Sequence, residues 1–147
     1  MKPVRRASVI SWRQDPGVLA YPLPVPRIQT RRDALRLFAG LKEAERETLG
    51  IAYLGSERML LGLRHVAGVT DAVAVPMTRI VRDALFFSAS AVMIAHNHPD
   101  GDPRPSPADL SLTRRLAQGL GALDLTLLDH LILAGSAVLS LREMGLV

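Results

Sequence analysis

The sequence predicts an α/β domain in which a mixed β-sheet is flanked by helices. Helix-like and strand-like hydrophobic patterns alternate along the chain, an order typical of helices packed on the faces of a sheet. A chain of 147 residues with 48% hydrophobic content can bury a sizeable core. Cysteine is absent, which excludes disulfide scaffolds and thiolate metal sites and leaves histidine and carboxylate side chains as metal ligands.

A helix and a hairpin are predicted first. Thr30 and Asp33 have the spacing of a helix capping box, and the apolar residues after them recur with the helical period, which predicts a helix over 31–46. Strands are then predicted at 48–54, 58–66 and 70–75, with the hairpin turn at Gly55 and Ser56.

Two further helices and three strands follow. A helix over 77–88 is expected to bury one face, and the continuous apolar run 91–95 predicts a buried strand. A helix over 107–121 comes next, with Pro107 at its first position. The residues expected to point inward on the first of these helices are Ile80, Val81, Ala84 and Leu85, and the closing strands are expected at 124–133 and 137–141.

Residues 1–29 are predicted to form a basic, proline-rich arm that precedes a domain at 30–147. The first 36 residues carry a net charge of +6, whereas residues 37–147 carry −2. Such an arm can contact the phosphates of a nucleic acid, or it can lie along its own domain or a partner subunit. The sequence has no apolar signal core and no stretch long enough to span a membrane, which predicts a cytoplasmic protein without a membrane partner.

Segment 96–109 contains the residue types of a zinc site. His96 and His98 follow the buried strand, and alternate strand residues point to one face, so the two imidazoles can share one ion. The proline-rich loop after them is stiff enough to return a third ligand, for which Asp109 is the natural candidate. Two histidines and a carboxylate leave the fourth position of Zn²⁺ for a water, whose pKa then falls to about 7.

Ser106 and Asp109 also have a purely structural explanation. Their spacing matches a capping box at the start of the helix over 107–121. The cap would account for both residues without a metal, although capping and ligation by Asp109 are compatible.

A hydrolase that activates a metal-bound water also needs a carboxylate to carry the proton. Glu47 is the best placed of the upstream acidic residues, because it stands where the helical pattern gives way to a strand. By sequence alone, however, the charged run around Glu47 favours an ordinary solvated helix face over a catalytic role.

The spacing of Glu47, His96, His98, Ser106 and Asp109 resembles the JAB/JAMM (MPN-plus) metalloprotease signature. More narrowly, the sequence resembles the C-terminal domain of bacterial RadC proteins over about residues 30–147, without the N-terminal helix-hairpin-helix region of full RadC proteins. The supporting segments are ETLGIAYL at 47–54, AHNHP at 95–99 and LDHLI at 128–132, whereas Asp100 departs from the serine common in RadC proteins.

The resemblance implies a cytidine-deaminase-like α/β sandwich and a zinc-dependent hydrolase of peptide or isopeptide bonds. It implies that His96, His98 and Asp109 hold Zn²⁺, that Glu47 is the general acid and base, and that Ser106 stabilises the oxyanion. A nucleic-acid-associated factor and a catalytically silent interaction module are the alternative functions.

Two other histidines have simpler explanations. His65 lies in a strand-like segment and is expected at the surface or on a sheet face. His130 follows Asp129 in a buried-looking strand, so a structural pair of these two side chains is expected rather than direct ligation, with an indirect role behind the ligands or contact with a substrate as the alternatives.

Overall fold

The computed structural model describes residues 18–20, 26–68 and 77–147. Its strands are β1 Val18–Ala20, β2 Thr48–Leu54, β3 Leu60–Ala67, β4 Ala91–Asn97, β5 Thr126–Ala134 and β6 Ala137–Ser140. Its helices are α1 Arg31–Leu37, α2 Met77–Phe86 and α3 Pro107–Gly121, with short 3₁₀ helices at Ala39–Glu43 and Ser56–Arg58. The six strands form one sheet in the order β1-β3-β2-β4-β5-β6, and β4 and β5 are its parallel pair. The predicted α/β class with a mixed sheet is confirmed.

Each face of the sheet packs against its own helices, because successive strand residues point to opposite sides. In β2, Leu49, Ile51 and Tyr53 belong to the core that includes residues of α2 and α3. Ala52 and Leu54 pack instead with residues of α1 and of the first 3₁₀ helix. Central strands buried on both faces have nearly continuous apolar sequences, as β2 and β4 do.

Strand β5 contains a bulge near its start. Val92 of β4 pairs with Leu127, but the next residue of β4 pairs with Asp129, so Leu128 is an extra residue. Such a bulge changes the face on which the following side chains lie. It places His130 on the face that carries α3 and Asp129 on the face that carries α1.

A buried network attaches α2 to the sheet. The Asp83 carboxylate accepts hydrogen bonds from the Arg64 guanidinium at 2.6 and 3.0 Å and from the Tyr53 hydroxyl at 2.8 Å. Burial raises the pKa of Tyr53 well above its ordinary value. The network therefore keeps a neutral phenol and a paired carboxylate inside the protein.

The structure corrects the predicted inward face of α2. Ile80 and Ala84 are fully buried as expected, but Leu85 is 60% exposed. The buried face follows the helical spacing through Asp83, which takes the inward position beside Ala84 to reach its sheet partners.

The predicted helix over 31–46 is also too long. The capping box of Thr30 and Asp33 is present, but α1 ends at Leu37 and the chain continues as a 3₁₀ helix. Phe38 ends α1 with a backbone φ of −95° and ψ of 9° and packs into the core beside β2.

Other boundaries agree with the predictions to within a few residues. Strand β4 extends two residues beyond the predicted 91–95, and α3 begins and ends as predicted. The predicted strand at 70–75 and most of the arm at 1–29 lie outside the described residues, although Val18–Ala20 pairs with β3. Within the described ranges, every helix is too short or too polar to cross a membrane.

Candidate metal centre

The candidate ligands meet where β2 begins, β4 ends and α3 begins. Because Leu49 lies opposite His96 in the antiparallel pair β2–β4, Glu47 is brought beside His98. Helix α3 starts against the same end of the sheet and carries Asp109 in its first turn. Three elements thus supply one site.

Four side chains offer ligand atoms that all lie within 4.8 Å of one another. His96 Nε2 lies 2.8 Å from His98 Nε2 and 3.2 Å from Asp109 Oδ1. The other carboxylate oxygen of Asp109 lies 3.2 Å from His98 Nε2, and Glu47 Oε1 lies 3.6 Å from His96 Nε2. The structure therefore brings together the three predicted ligands and the predicted proton carrier.

This donor set fits zinc. Bonds of about 2.0–2.1 Å in a tetrahedron place ligand atoms about 3.4 Å apart, close to the separations in the group. His98 Nδ1 lies 2.6 Å from the carbonyl oxygen of Asp102. A carbonyl only accepts, so the ring proton is on Nδ1 and the lone pair of Nε2 faces the group, as a metal ligand requires.

Asp109 is both a capping residue and a member of the cluster. Its amide donates to Ser106 Oγ at 3.1 Å, and its Oδ2 accepts from the Ser106 amide at 2.8 Å, which completes the predicted capping box. Burial alone would raise the pKa of Asp109, but the facing imidazole of His96 and the bonds from Ser106 hold it well below its ordinary range. The cap thus leaves an ionised carboxylate directed at the histidines.

Glu47 is more exposed than the three candidate ligands. Its side chain is 29% exposed, and burial raises its pKa above the ordinary value of a glutamate. A carboxylate with a raised pKa is suited to carry a proton near neutral pH.

Asn97 fixes the backbone that carries Glu47. It is buried, and its side chain lies on the face of β4 opposite to that of His96. Its amide donates to the carbonyls of Ala44 and Arg46 at 3.0 and 3.1 Å, and its oxygen accepts from the Thr48 amide at 2.7 Å. Asn97 therefore holds the segment that carries Glu47 against β4, the strand that leads to the two histidines.

The cluster opens into a cleft of about 750 Å³. Glu47, His98 and Ser106 line it together with the loop that joins β4 to α3. The Ser106 oxygen accepts from an amide, so its hydrogen can be donated toward the cleft. The loop contributes Asp100 and a surface ion pair between Asp102 and Arg104 at 2.7 Å.

His130 does not pair with the side chain of Asp129, contrary to the expectation. Consecutive strand residues point to opposite faces, which separates the two side chains, and the Asp129 carboxylate accepts instead from the Ser140 hydroxyl at 2.6 Å and from two backbone amides. His130 Nε2 lies 2.7 Å from His96 Nδ1, and its Nδ1 lies 2.7 Å from Thr113 Oγ1. Burial lowers the pKa of His130 to about 3, so the ring is neutral.

Sequence reasoning missed the parts played by Asn97 and Thr113. The place of Asn97 between the two ligands was the available signal, because an alternating strand must send it to the other face. Thr113 follows Asp109 by one helical turn, the spacing that puts two residues on one helix face. His65 is exposed on β3, as predicted.

Comparison with known proteins gives matches over most of the chain. A family model described as a RadC-like JAB domain matches residues 28–146. The UPF0758 proteins YfjY and YeeS of Escherichia coli K12 are 41% and 38% identical over 121 and 112 residues, which cover 81% and 76% of this chain and 74% and 76% of theirs. A UPF0758 protein of Thiobacillus denitrificans is 40% identical over 78% of this chain, but the match covers 50% of its own length. The chain therefore belongs to the family of RadC-like JAB domains.

Proposed function

We propose that this chain is a zinc-dependent hydrolase of amide bonds, of the peptidase or isopeptidase type. The convergence of Glu47, His96, His98 and Asp109 within 4.8 Å at the base of an open cleft supports this function. The RadC-like JAB family and this candidate metal group both fit a metal-dependent hydrolase.

Each residue has a distinct role in the proposed reaction. His96, His98 and Asp109 would hold the ion. When bound, zinc supplies a Lewis acid that polarises an amide carbonyl and lowers the pKa of water to about 7. Glu47 takes a proton from the attacking water and passes it to the departing amine, because its carboxylate faces both the histidines and the cleft.

Ser106 is proposed to stabilise the oxyanion that forms on the carbonyl oxygen. Its hydroxyl lies in the cleft wall beside His98, and the cap at the start of α3 fixes its position. A donor held in place before the reaction needs no reorganisation when negative charge develops.

A peptide or protein is the proposed substrate. The cleft is open at the surface, as the passage of a polypeptide chain through it requires. The carboxylates of Asp100 and Asp102 stand along its wall.

Zinc content measured by elemental mass spectrometry on untagged protein tests this proposal. We expect about one zinc per chain in the native protein and its loss in His98→Ala. His65→Ala is the matched control, because it removes an exposed histidine outside the cluster and should leave the zinc content unchanged. A native chain that takes up no zinc, even from excess, contradicts the proposal and favours the interaction-module alternative.

A further inference from the structure

A chain of hydrogen bonds runs behind His96 and returns to Asp109. His96 Nδ1 lies 2.7 Å from His130 Nε2, and His130 Nδ1 lies 2.7 Å from Thr113 Oγ1. Thr113 Oγ1 lies 2.7 Å from the backbone carbonyl oxygen of Asp109. Two residues outside the ligand cluster therefore connect two of its members.

The series of hydrogen bonds ends at the backbone carbonyl of Asp109, and this determines which atom donates and which accepts in each of them. The Asp109 carbonyl can only accept, so the single hydroxyl hydrogen of Thr113 is donated to it. The Thr113 oxygen must then accept the N–H of His130 Nδ1. His130 is 0% exposed, and an uncompensated charge there would be costly, so the ring is neutral and its Nε2 is an acceptor.

The hydrogen bond between His96 and His130 determines which ring nitrogen of His96 carries the hydrogen. Because His130 Nε2 accepts, His96 donates through Nδ1, and the lone pair of its Nε2 faces His98 and Asp109. The carbonyl of Asp102 imposes the same state on His98. Two imidazole lone pairs that face each other at 2.8 Å repel unless a cation lies between them.

We propose that Thr113 and His130 are positioning residues of the metal centre, which hold His96 in the tautomer that can bind an ion through Nε2. The inference deepens the proposed function, because it names the residues that prepare a ligand for zinc. The opposite tautomer would place a hydrogen on Nε2 and prevent coordination.

Zinc affinity measured by competition with a chelator tests the role of Thr113. Thr113→Val has nearly the same shape but no hydroxyl, so His130 loses the partner that fixes its ring proton. We expect zinc binding about 10–100 times weaker, as for loss of other groups that orient metal-bound histidines. Thr113→Ser keeps the hydroxyl and should have native affinity. Thr126→Val makes the same change at the exposed first residue of β5 and should leave the zinc affinity unaltered. Native affinity in Thr113→Val overturns the proposal.

Nitrogen-15 NMR of the imidazoles in the metal-free native chain gives a second test that needs no variant. We expect a hydrogen on Nδ1 of both His96 and His130 and a bare Nε2 on His130, and a bare Nδ1 on His96 overturns the inference. This result is independent of the zinc measurement on the native chain. A chain with these tautomers that binds no zinc contradicts the proposed hydrolase alone.

Discussion

Glu47 is the most exposed of the four clustered side chains. Its side chain is 29% exposed, against 4% for His96, 12% for His98 and 9% for Asp109. Buried ligands keep fixed positions, whereas a carboxylate at the cleft wall can meet water and substrate. In the proposed mechanism, metal binding and proton transfer therefore fall to different residues.

Glu47→Gln should separate these two properties. The amide keeps the shape of the side chain but cannot accept a proton, so we expect amide hydrolysis to fall by about 10²–10⁴-fold. Zinc content should stay near the native value, because both histidines and Asp109 are unchanged. Steady-state kinetics and metal analysis on the same preparation check both expectations.

Glu45→Gln is the matched control for this substitution. It removes the same charge from a neighbouring exposed residue outside the cluster, and it should leave turnover unaltered. Full turnover in Glu47→Gln would contradict the assigned role.

The predicted ligands could be found from the sequence because their spacing is local. His96 and His98 lie at the end of one strand, where alternation puts them on one face, and Asp109 lies in the first turn of the next helix. The connection from His96 to Thr113 depends on how β4, β5 and α3 pack, and no local pattern encodes that packing.

Among the elements, the turn from α1 into β2 determines where Glu47 lies. The 3₁₀ helix Ala39–Glu43 is pressed against β2 through the Phe38 ring, which covers Gly50. A Cβ on Gly50 would stand 2.8 Å from the ring, so this crossing requires a glycine. The sequence showed the glycine and the phenylalanine, but only the fold shows that they touch.

Gly50→Ala should therefore destabilise the protein by about 1–3 kcal/mol, the usual cost of adding a methyl group to a packed core. Chemical denaturation measures the change in the free energy of unfolding. Gly40→Ala is the matched control, because nothing lies within 4 Å of the added Cβ. Equal unfolding free energies for the two variants would contradict the packing described between Phe38 and β2.

Both capping boxes, by contrast, were predictable because their residues are close together in the sequence. Thr30 with Asp33 and Ser106 with Asp109 each form a cap within four residues, so the sequence alone specifies them. A helix end that depends on packing against a distant strand cannot be predicted in this way, and the end of α1 at Phe38 is an example.

At the scale of the whole molecule, an ion that binds the assembled site should stabilise the fold. The proposed ligands come from β4, from the residue that follows it and from α3, with Glu47 next to β2, so an unfolded chain does not present them together. Free zinc at about 100 times its dissociation constant should add about 2.7 kcal/mol to the free energy of unfolding.

Urea unfolding with and without zinc measures this gain. His98→Ala should show none of it, because the variant lacks a ligand. An unfolding free energy of the native chain that does not change with zinc would contradict binding at the folded site.

The alternation of hydrophobic patterns predicted the α/β class and most element positions, because both depend on periodicity. The order of strands in the sheet and the exposure of Leu85 depend on tertiary packing instead. The buried pair of Arg64 and Asp83 shows why, since each polar residue occupies a position that hydrophobicity alone assigns to an apolar one.

The extra residue in β5 has a consequence for how the centre can change by insertion and deletion. Deleting Leu128 would remove the bulge and leave Asp129 and His130 paired with Met93 and Ile94, as they are now. His130 would therefore stay behind His96, because a regular strand that starts at Leu127 already places it on that face. A one-codon deletion at this position should thus spare the contact between the two imidazoles, whereas the same loss within the regular part of β5 would exchange the faces of the residues beyond it.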